Sequence, residues 1–538
     1  MNPDSTSTLA RSLERALTWS LFAFAFCAPH SIAATQAAWI LAMLLWSARL
    51  FVRPRPALRR TPVDYALLGF FILTFISALC SYEPFISIGK LRAASLFTIV
   101  YVTAQNVRSR RLMRALVLTL VASCLINVVY TLGLYARGRG VKVVSMTADS
   151  PLRASGVREG DRLLEVEGRR IGSPDELASA LDRAEEAARA GRVGRAEGGA
   201  GQPQPDASGQ PQSAVAGQPT PTVQPTSRAA RLRAYRLETY PVFELRHGSL
   251  RAGATAGERL GLTRWTRGRD ERASGFYGHY VTYAEVLQLV ASLALGLFLA
   301  TRRKWSLRGA FFACSFAGLA CALLLTVTRA SWLGLLLSAL TAVLVGASRR
   351  TLFVACAVAL PLVVTAALVL QQKRQVGFLD PREGSTAWRL MVYRESLDLL
   401  VREPRHLLVG VGMDSLKKRY REFELFDKGR QNIGHLHSTP LQIAVERGLP
   451  ALLAWLALVL LYARTLWRLT RRKAASADAT ERGFVLGALG GLVGFMASGA
   501  VHYNLGDSEV VMVFYFVMGL ALALDALVRE EDAQADAT

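Results

Sequence analysis

Two histidines and a glutamate stand beside a long apolar segment near residue 440. His435 and His437 belong to a polar loop, and Glu446 comes just before an apolar run that ends at Leu466. Placing an ionisable side chain at the start of such a run costs free energy, so residues of this kind are often functional. An imidazole with an ordinary pKa near 6.5 can accept a proton at neutral pH. The stretch therefore predicts acid–base chemistry; the alternative is that both histidines only face lipid headgroups.

Three arginines occupy other boundaries of apolar runs. Arg272 precedes one run, Arg329 separates two, and Arg389 lies in the polar segment before residue 440. A guanidinium keeps its charge and can bind a phosphate through two hydrogen bonds. Each arginine taken singly is more typical of a headgroup anchor. As a set with His437, they predict an anion-binding site.

Long apolar runs organise the rest of the chain. Of its 538 residues, 51% are hydrophobic, which is too many for an ordinary soluble protein. Crossing the hydrocarbon core of a bilayer takes roughly 20 mostly apolar residues. We therefore predict twelve transmembrane spans, at about 15–30, 34–52, 64–82, 87–106, 113–135, 278–300, 308–327, 330–347, 351–371, 440–464, 483–503 and 509–528.

The basic residues follow the even-numbered spans. A net charge of +23 would suggest nucleic acid in a soluble protein, but here Lys and Arg concentrate at 49–60, 108–114, 302–308, 349–350 and 464–473. Basic loops face the cytoplasm. This pattern predicts that both termini are cytoplasmic, that the histidines and arginines above lie outside, and that the partner is the lipid bilayer rather than nucleic acid. The six cysteines fall within apolar runs without metal-type spacing, so we expect no metal site.

These spans predict an all-α polytopic membrane protein of about 12 transmembrane helices, with a small α+β periplasmic domain inserted between helices 5 and 6. The predicted parts are helices 1–5 at 1–136, the insert at 137–250, helices 6–9 at 251–371, a large periplasmic loop at 372–439, and helices 10–12 with a cytoplasmic tail at 440–538.

The insert has its own pattern. Residues 141–146 alternate like a strand, 163–166 read as a second strand, and Ser173 followed by Pro174 and Glu176 predicts a helix to about 190. The Gly/Pro-rich stretch at about 191–227 is expected to be disordered. A final strand is predicted at 242–248.

This series resembles a bacterial PDZ domain. The similarity is carried by the Ser-Pro-Leu segment at 150–152, the Gly-Val and Gly-Asp pairs at 156–157 and 160–161, and the helix start at Ser173. The resemblance implies a module that binds an extended peptide by strand addition, so a peptide or protein partner is expected. The alternative is a degenerate domain that only packs on the membrane part.

A second resemblance covers about residues 278–528. The sequence is similar to the superfamily of O-antigen ligases and O-antigen polymerases. Its motif H-N-x-x-L-q-x-x-x-E-x-G matches the residues from His437 to Gly448, with Ser438 in place of Asn. Two further stretches resemble the family, namely Thr328 to Gly334, and Arg389-x-x-x-Tyr393 followed by Glu403-Pro404 and the Gly-Val-Gly at 410–412.

The resemblance implies an inner-membrane glycosyltransferase that needs no metal or cofactor. It would transfer a glycan from an undecaprenyl-diphosphate carrier to an acceptor hydroxyl, such as that of lipid A–core, on the periplasmic face. By the motif register, His437 would be the general base, with His435 as a rival outside that register. The other implied roles are diphosphate binding by Arg389, Arg329 and, more weakly, Arg272, with Ser438 and Glu446 supporting.

Other functions remain open at this point. Within the superfamily, a polymerase or a protein O-glycan ligase would use the same donor with another acceptor. Outside it, the alternatives are a small-anion transporter and a non-catalytic PDZ scaffold. Transporters place ionisable groups near the middle of the bilayer. The candidate residues here lie at its boundary, which favours an enzyme.

Overall fold

The computed structural model describes residues 3–197, 229–236, 239–269, 272–346, 384–472 and 478–537. It divides into two compact units. The helical unit comprises Met1–Thr131 and Arg272–Thr538, and the inserted unit comprises Leu132–Glu271. Each unit is built around its own set of elements.

The chain begins with six helices. They are α1 (Pro3–Cys27), α2 (Ile32–Phe51), α3 (Asp64–Leu79), α4 (Pro84–Ala94), α5 (Thr98–Asn106) and α6 (Arg110–Arg137). A single 3-10 turn joins α4 to α5, so that these two form one continuous apolar segment. Ser31 caps α2, because its hydroxyl accepts a hydrogen bond from the Ala34 amide.

The described residues of the inserted unit form a six-stranded antiparallel sheet with three helices. Its strands are β1 (Arg139–Met146), β2 (Arg162–Val166), β3 (Arg169–Arg170), β4 (Ala229–Tyr235), β5 (Val242–Arg246) and β6 (Leu262–Gly268). Its helices are α7 (Pro151–Ala154), α8 (Pro174–Glu197) and α9 (Ala256–Leu260). The order across the sheet is β5-β4-β2-β1-β6, with β3 beside β2. Fully buried leucines from strands and helices form its core, among them Leu152, Leu163, Leu177 and Leu232.

The structure corrects three predictions for this unit. The final strand is β6 rather than the predicted strand at 242–248, which forms β5 at the edge beside β4. Pairing of β6 with β1 extends the unit to residue 271, beyond the predicted 137–250. Helix α8 continues to Glu197, so the first residues of the stretch predicted as disordered are helical. The remainder of that stretch lies outside the described residues, and the PDZ resemblance stays a prediction.

Within the residues that the structure describes, the second part of the helical unit holds ten more helices. They are α10 (Tyr280–Ala300), α11 (Leu307–Leu325), α12 (Arg329–Gly346), α13 (Gly384–Arg402), α14 (Pro404–Val409), α15 (Ser415–Arg419), α16 (Leu425–Lys428), α17 (Thr439–Arg471), α18 (Ala479–Gly499) and α19 (Ser508–Ala537). Helices α13 to α16 occupy the segment predicted as a large loop.

The structure confirms a multi-pass helical protein, but not the count of twelve spans. Within the described residues, nine helices are long and apolar enough to cross a membrane. The third predicted span is a shorter apolar helix, Asp64–Leu79. The first lies within α1, which is not among the nine. The ninth, at 351–371, falls outside the described residues.

Small residues bring α10, α12 and α18 into close contact. A Cβ added to Gly494 on α18 would lie 2.5 Å from the Gly334 carbonyl of α12, and one added to Gly296 on α10 would lie 2.7 Å from the Cα of Gly487. Gln288 donates a hydrogen bond of 2.7 Å to Ser338. Close approach and buried interhelical hydrogen bonds stabilise helices in lipid. Because α12 packs antiparallel to α18, Arg329 and Gly499 lie at the same end of the three helices.

The opposite end of the helical unit carries ion pairs. Arg110 and Arg114 of α6 pair with Glu481 of α18, Arg114 also pairs with Asp478 at 3.0 Å, and Arg468 of α17 pairs with Asp525 of α19. The basic helix ends predicted to share one side of the membrane therefore meet in this unit. Their assignment to the cytoplasm stays a prediction.

Candidate functional site

The loop before α17 is fixed at its junction with that helix. Ser438 caps α17 by accepting a hydrogen bond from the Leu441 amide, and Pro440 occupies the first turn. The Thr439 hydroxyl lies 2.8 Å from Oδ1 of Asn504, which is buried in the connection between α18 and α19. The predicted supporting residue Ser438 therefore orients the backbone that presents His437.

Three histidine rings cluster close to the junction between this loop and α17. The ring centroids of His435 and His437 are 4.1 Å apart, and His502 lies 6.2 Å from each. The indole of Trp388 stands edge-on to His437 at 5.2 Å. His437 has a φ of 52°, in the left-handed region that costs free energy for a residue with a side chain. Such strain is typical of a residue held in place for function.

Helix α13 contributes the next two side chains. Arg389 and Tyr393 are four residues apart, so they share one face of the helix. The Tyr393 hydroxyl donates a hydrogen bond of 2.9 Å to the His437 carbonyl. Within the described residues, Nε of Arg389 is buried without a hydrogen-bond partner. A buried guanidinium nitrogen of this kind is suited to receive an anion.

Burial and neighbouring charges keep two of the histidines neutral. Burial, followed by electrostatic interactions with His435, His502 and Arg389, lowers the pKa of His437 to about 3. Burial, followed by His502 and His279, lowers the pKa of His435 to about 4. Both rings are therefore free of charge at neutral pH and able to accept a proton. Their Nδ1 atoms are buried without partners in the part of the chain that the structure describes.

His502 differs from the other two because it faces a carboxylate. Its Nδ1 lies 3.0 Å from Oε1 of Glu285, a buried residue of α10. Burial is the largest single influence and lowers the pKa of His502, but the interactions with Glu285 and the charge of Asp507 together outweigh it and raise the pKa above the ordinary value. Sequence reasoning missed this pair. The available signal was Glu285 itself, an acidic residue inside a predicted span.

Further acidic and polar side chains lie close to the pair of His502 and Glu285. Asp507 accepts a hydrogen bond from the Thr282 hydroxyl, and Nδ1 of His279 lies 3.2 Å from the same hydroxyl. Burial raises the pKa of Asp507 above its usual range. Within the described residues, no group of three or more His, Cys, Asp or Glu side chains is arranged to hold a metal ion.

The two remaining predicted arginines lie at the same end of the helices. The guanidinium of Arg272 sits 4.4 Å above the ring of Tyr280, a cation–π contact. The Ala273 amide donates to the Leu325 carbonyl at the end of α11, which brings this segment near Arg329, the first residue of α12. Their approach to a substrate at His437 stays a prediction.

Glu446 supports the backbone around the site. Its carboxylate accepts a hydrogen bond of 2.9 Å from the Asp414 amide, and its carbonyl accepts from Gly412. Gly448 kinks α17 with a φ of 83°, and a Cβ there would lie 2.4 Å from the Leu408 carbonyl. Glu446 and Gly448 of the motif thus dock the segment after α14 onto α17.

The fold and site define a multi-pass membrane protein with imidazole and guanidinium groups gathered at one end of its helices. Residues 314–456 match the family model described as O-antigen ligase. Over these residues, the match confirms the resemblance to the O-antigen ligase and polymerase superfamily that the sequence showed. The matched region includes Arg329, Arg389 and His437 but not the inserted unit. A comparison with curated proteins finds no match.

Proposed function

We propose that the protein transfers a glycan from an undecaprenyl-diphosphate carrier to a hydroxyl of lipid A–core, at the periplasmic face of the inner membrane. The observation that carries this proposal is the neutral ring of His437 beside Arg389, within the region matched by the ligase family. A neutral imidazole can take a proton, and a guanidinium can bind a diphosphate. Glycosyl transfer from this donor requires both.

The reaction is a displacement at the anomeric carbon. His437 takes the proton of the acceptor hydroxyl while that oxygen bonds to the anomeric carbon, and the bond from carbon to the diphosphate oxygen breaks with its electron pair on the phosphate. Arg389, with Arg329 and more weakly Arg272, stabilises the charge that develops on the leaving group. A single direct displacement inverts the configuration at the anomeric carbon.

Electrostatics couple the two halves of this site. The positive charge of Arg389 opposes protonation of His437 in the empty site. A bound diphosphate would compensate that charge and make His437 a stronger base. His437 would therefore be activated by its own donor, which limits proton abstraction to the loaded enzyme.

Complementation tests the proposal. The wild-type gene is expressed in a ligase-deficient Gram-negative strain that supplies a compatible carrier-linked glycan. The readout is the ladder of glycan on lipopolysaccharide. A ladder supports ligation to lipid A–core. A longer carrier-linked polymer without a ladder would identify a polymerase, and glycan on protein would identify a protein ligase. The absence of all three products would contradict glycosyl transfer and favour the transporter or scaffold.

A further inference from the structure

The pair formed by His502 and Glu285 is a buried acid–base unit that the proposed reaction does not yet use. Glu285 projects from α10, whereas His502 lies in the connection between α18 and α19. The carboxylate is almost completely buried and the imidazole is largely so. The two atoms are 3.0 Å apart but not aligned as a linear hydrogen bond, so the pair is held mainly by charge when His502 is protonated.

His437 lacks such a partner. Its Nδ1 is buried without a hydrogen bond among the described residues, and its neighbours Arg389, His435 and His502 include no carboxylate that could stabilise a positive charge. An imidazolium formed on His437 would therefore be poorly stabilised. A catalytic base is ordinarily oriented by a third group that also stabilises its charged form. Among the three clustered histidines, this geometry belongs to His502.

The distance between the rings permits a proton to pass. The ring centroids of His437 and His502 are 6.2 Å apart, which leaves a gap that one bridging water can span. The ring of His502 is held by Glu285 on its Nδ1 side, so its Nε2 is the atom available for exchange.

We propose that the proton removed from the acceptor hydroxyl passes from His437 to His502, where Glu285 stabilises the resulting imidazolium. This inference rests on the proposed function. His437 receives one proton as the new carbon–oxygen bond forms, and then transfers one proton to neutral His502. The proton leaves His502 for water when the products depart, which restores both neutral rings. His502 and Glu285 act through His437 and are positioning residues in this scheme.

This proton relay from His437 to His502 predicts that the rate of transfer depends on pH. The sign of the effect follows from the charge of His502 before the reaction. His502 must be neutral to accept a proton, so the rate falls as pH drops through its pKa. Glu285 and Asp507 raise that pKa, whereas burial and Arg389 lower it. The charged or titratable groups around His502 are Glu285 and His279 of the α10 region, Arg389 of α13, His435 and His437 of the loop before α17, and Asp507 and Glu509 at the start of α19.

The test is a pH–rate profile of the purified full-length protein in detergent. The donor is the undecaprenyl-diphosphate-linked glycan extracted from the ligase-deficient strain, and the acceptor is lipid A–core from the same strain. Wild type, Glu285→Gln, His502→Gln and the control His435→Gln are compared between pH 5.5 and 9, after matching for monodisperse elution. Wild-type transfer at pH 7.5 tests the proposed function separately.

In Glu285→Gln, we expect the fall in rate on the acidic side of the pH–rate profile to move to lower pH by about one pH unit or more. The reason is that a negative charge has been removed from beside the buried imidazole of His502. His502→Gln should no longer show this fall in rate at acidic pH, and its kcat should be at least about 10-fold lower than that of wild type. His435→Gln should keep the wild-type midpoint. Because the first two variants alter different helical segments, misfolding of one leaves the other informative.

Three results would overturn the relay while leaving transfer itself intact. One is an unchanged midpoint in Glu285→Gln, and another is an unchanged profile in His502→Gln. The third is a wild-type rate that rises as pH falls, which would mean that His502 acts as a cation rather than as a proton acceptor.

Discussion

The hydroxyl of Tyr393 donates a hydrogen bond of 2.9 Å to the main-chain carbonyl of His437. This contact joins α13 to the loop before α17 at the residue whose φ is 52°. It explains the spacing of Arg389 and Tyr393, since one face of α13 then presents the guanidinium and anchors the histidine. The orientation of the proposed base depends on an element far from it in sequence.

Replacement of Tyr393 by Phe removes this hydrogen bond but keeps the ring. A net hydrogen bond contributes about 0.5–1.5 kcal/mol, so we expect transfer to fall roughly 2- to 10-fold at unchanged expression. The measurement is the initial rate of transfer in detergent. Tyr420→Phe, in the same segment, is the control. Equal rates for the two variants would mean that the Tyr393 contact does not orient His437.

Replacement of Arg389 by Lys keeps the charge but loses bidentate binding. Hydrogen bonds to charged groups contribute about 1.5–3 kcal/mol, so KM for the carrier-linked donor should rise roughly 10- to 100-fold. Arg394→Lys alters an exposed arginine on the same helix and should leave KM unchanged. A normal KM in Arg389→Lys would exclude bidentate binding of the diphosphate by this residue.

Gly448 is predicted to be intolerant of a side chain. Gly448→Ala would be strained because the backbone φ is 83°, and crowded because the added Cβ would lie 2.4 Å from the Leu408 carbonyl. We expect a loss of at least about 2 kcal/mol of stability, seen as a lower melting temperature in detergent. Gly491→Ala in α18 meets only ordinary contacts and should melt like wild type. Equal melting temperatures for the two variants would contradict the strained and crowded conformation of Gly448.

The depressed pKa values of His435 and His437 predict a pH effect on stability. The unfolded chain binds protons at these residues below about pH 6.5, whereas the folded protein does not until about pH 4 for His435 and about pH 3 for His437. Stability should therefore fall as pH drops from 6.5 towards 4. Ring signals of ¹³C-labelled histidine should show both side chains neutral at pH 5.5. Titration of either ring near pH 6.5 would contradict their burial.

Much of the helical framework could be predicted from the sequence, because long apolar runs and basic flanks are strong local signals. The motif register also predicted roles for His437, Arg389 and Ser438. The fold places the first and last of these at the junction before α17 and Arg389 on α13, while their roles stay predictions. Strand β6 was missed because only its two end residues are buried, which leaves no alternating pattern to detect.

The pair His502–Glu285 was missed for a different reason. A single glutamate does not interrupt the apolar run that forms α10, and His502 carries no motif around it. Only the packing of α10 against α18 brings the two together. Contacts between distant segments leave no local trace in one sequence, so this part of the site required the structure.

The most direct measurement is complementation of the ligase-deficient strain by His437→Ala, with wild type and His435→Ala matched for membrane expression. General base catalysis contributes about 10²- to 10⁴-fold, so His437→Ala should produce no visible glycan ladder on lipopolysaccharide. Wild type and His435→Ala should both produce one. A ladder of wild-type intensity from His437→Ala would show that His437 is not the base.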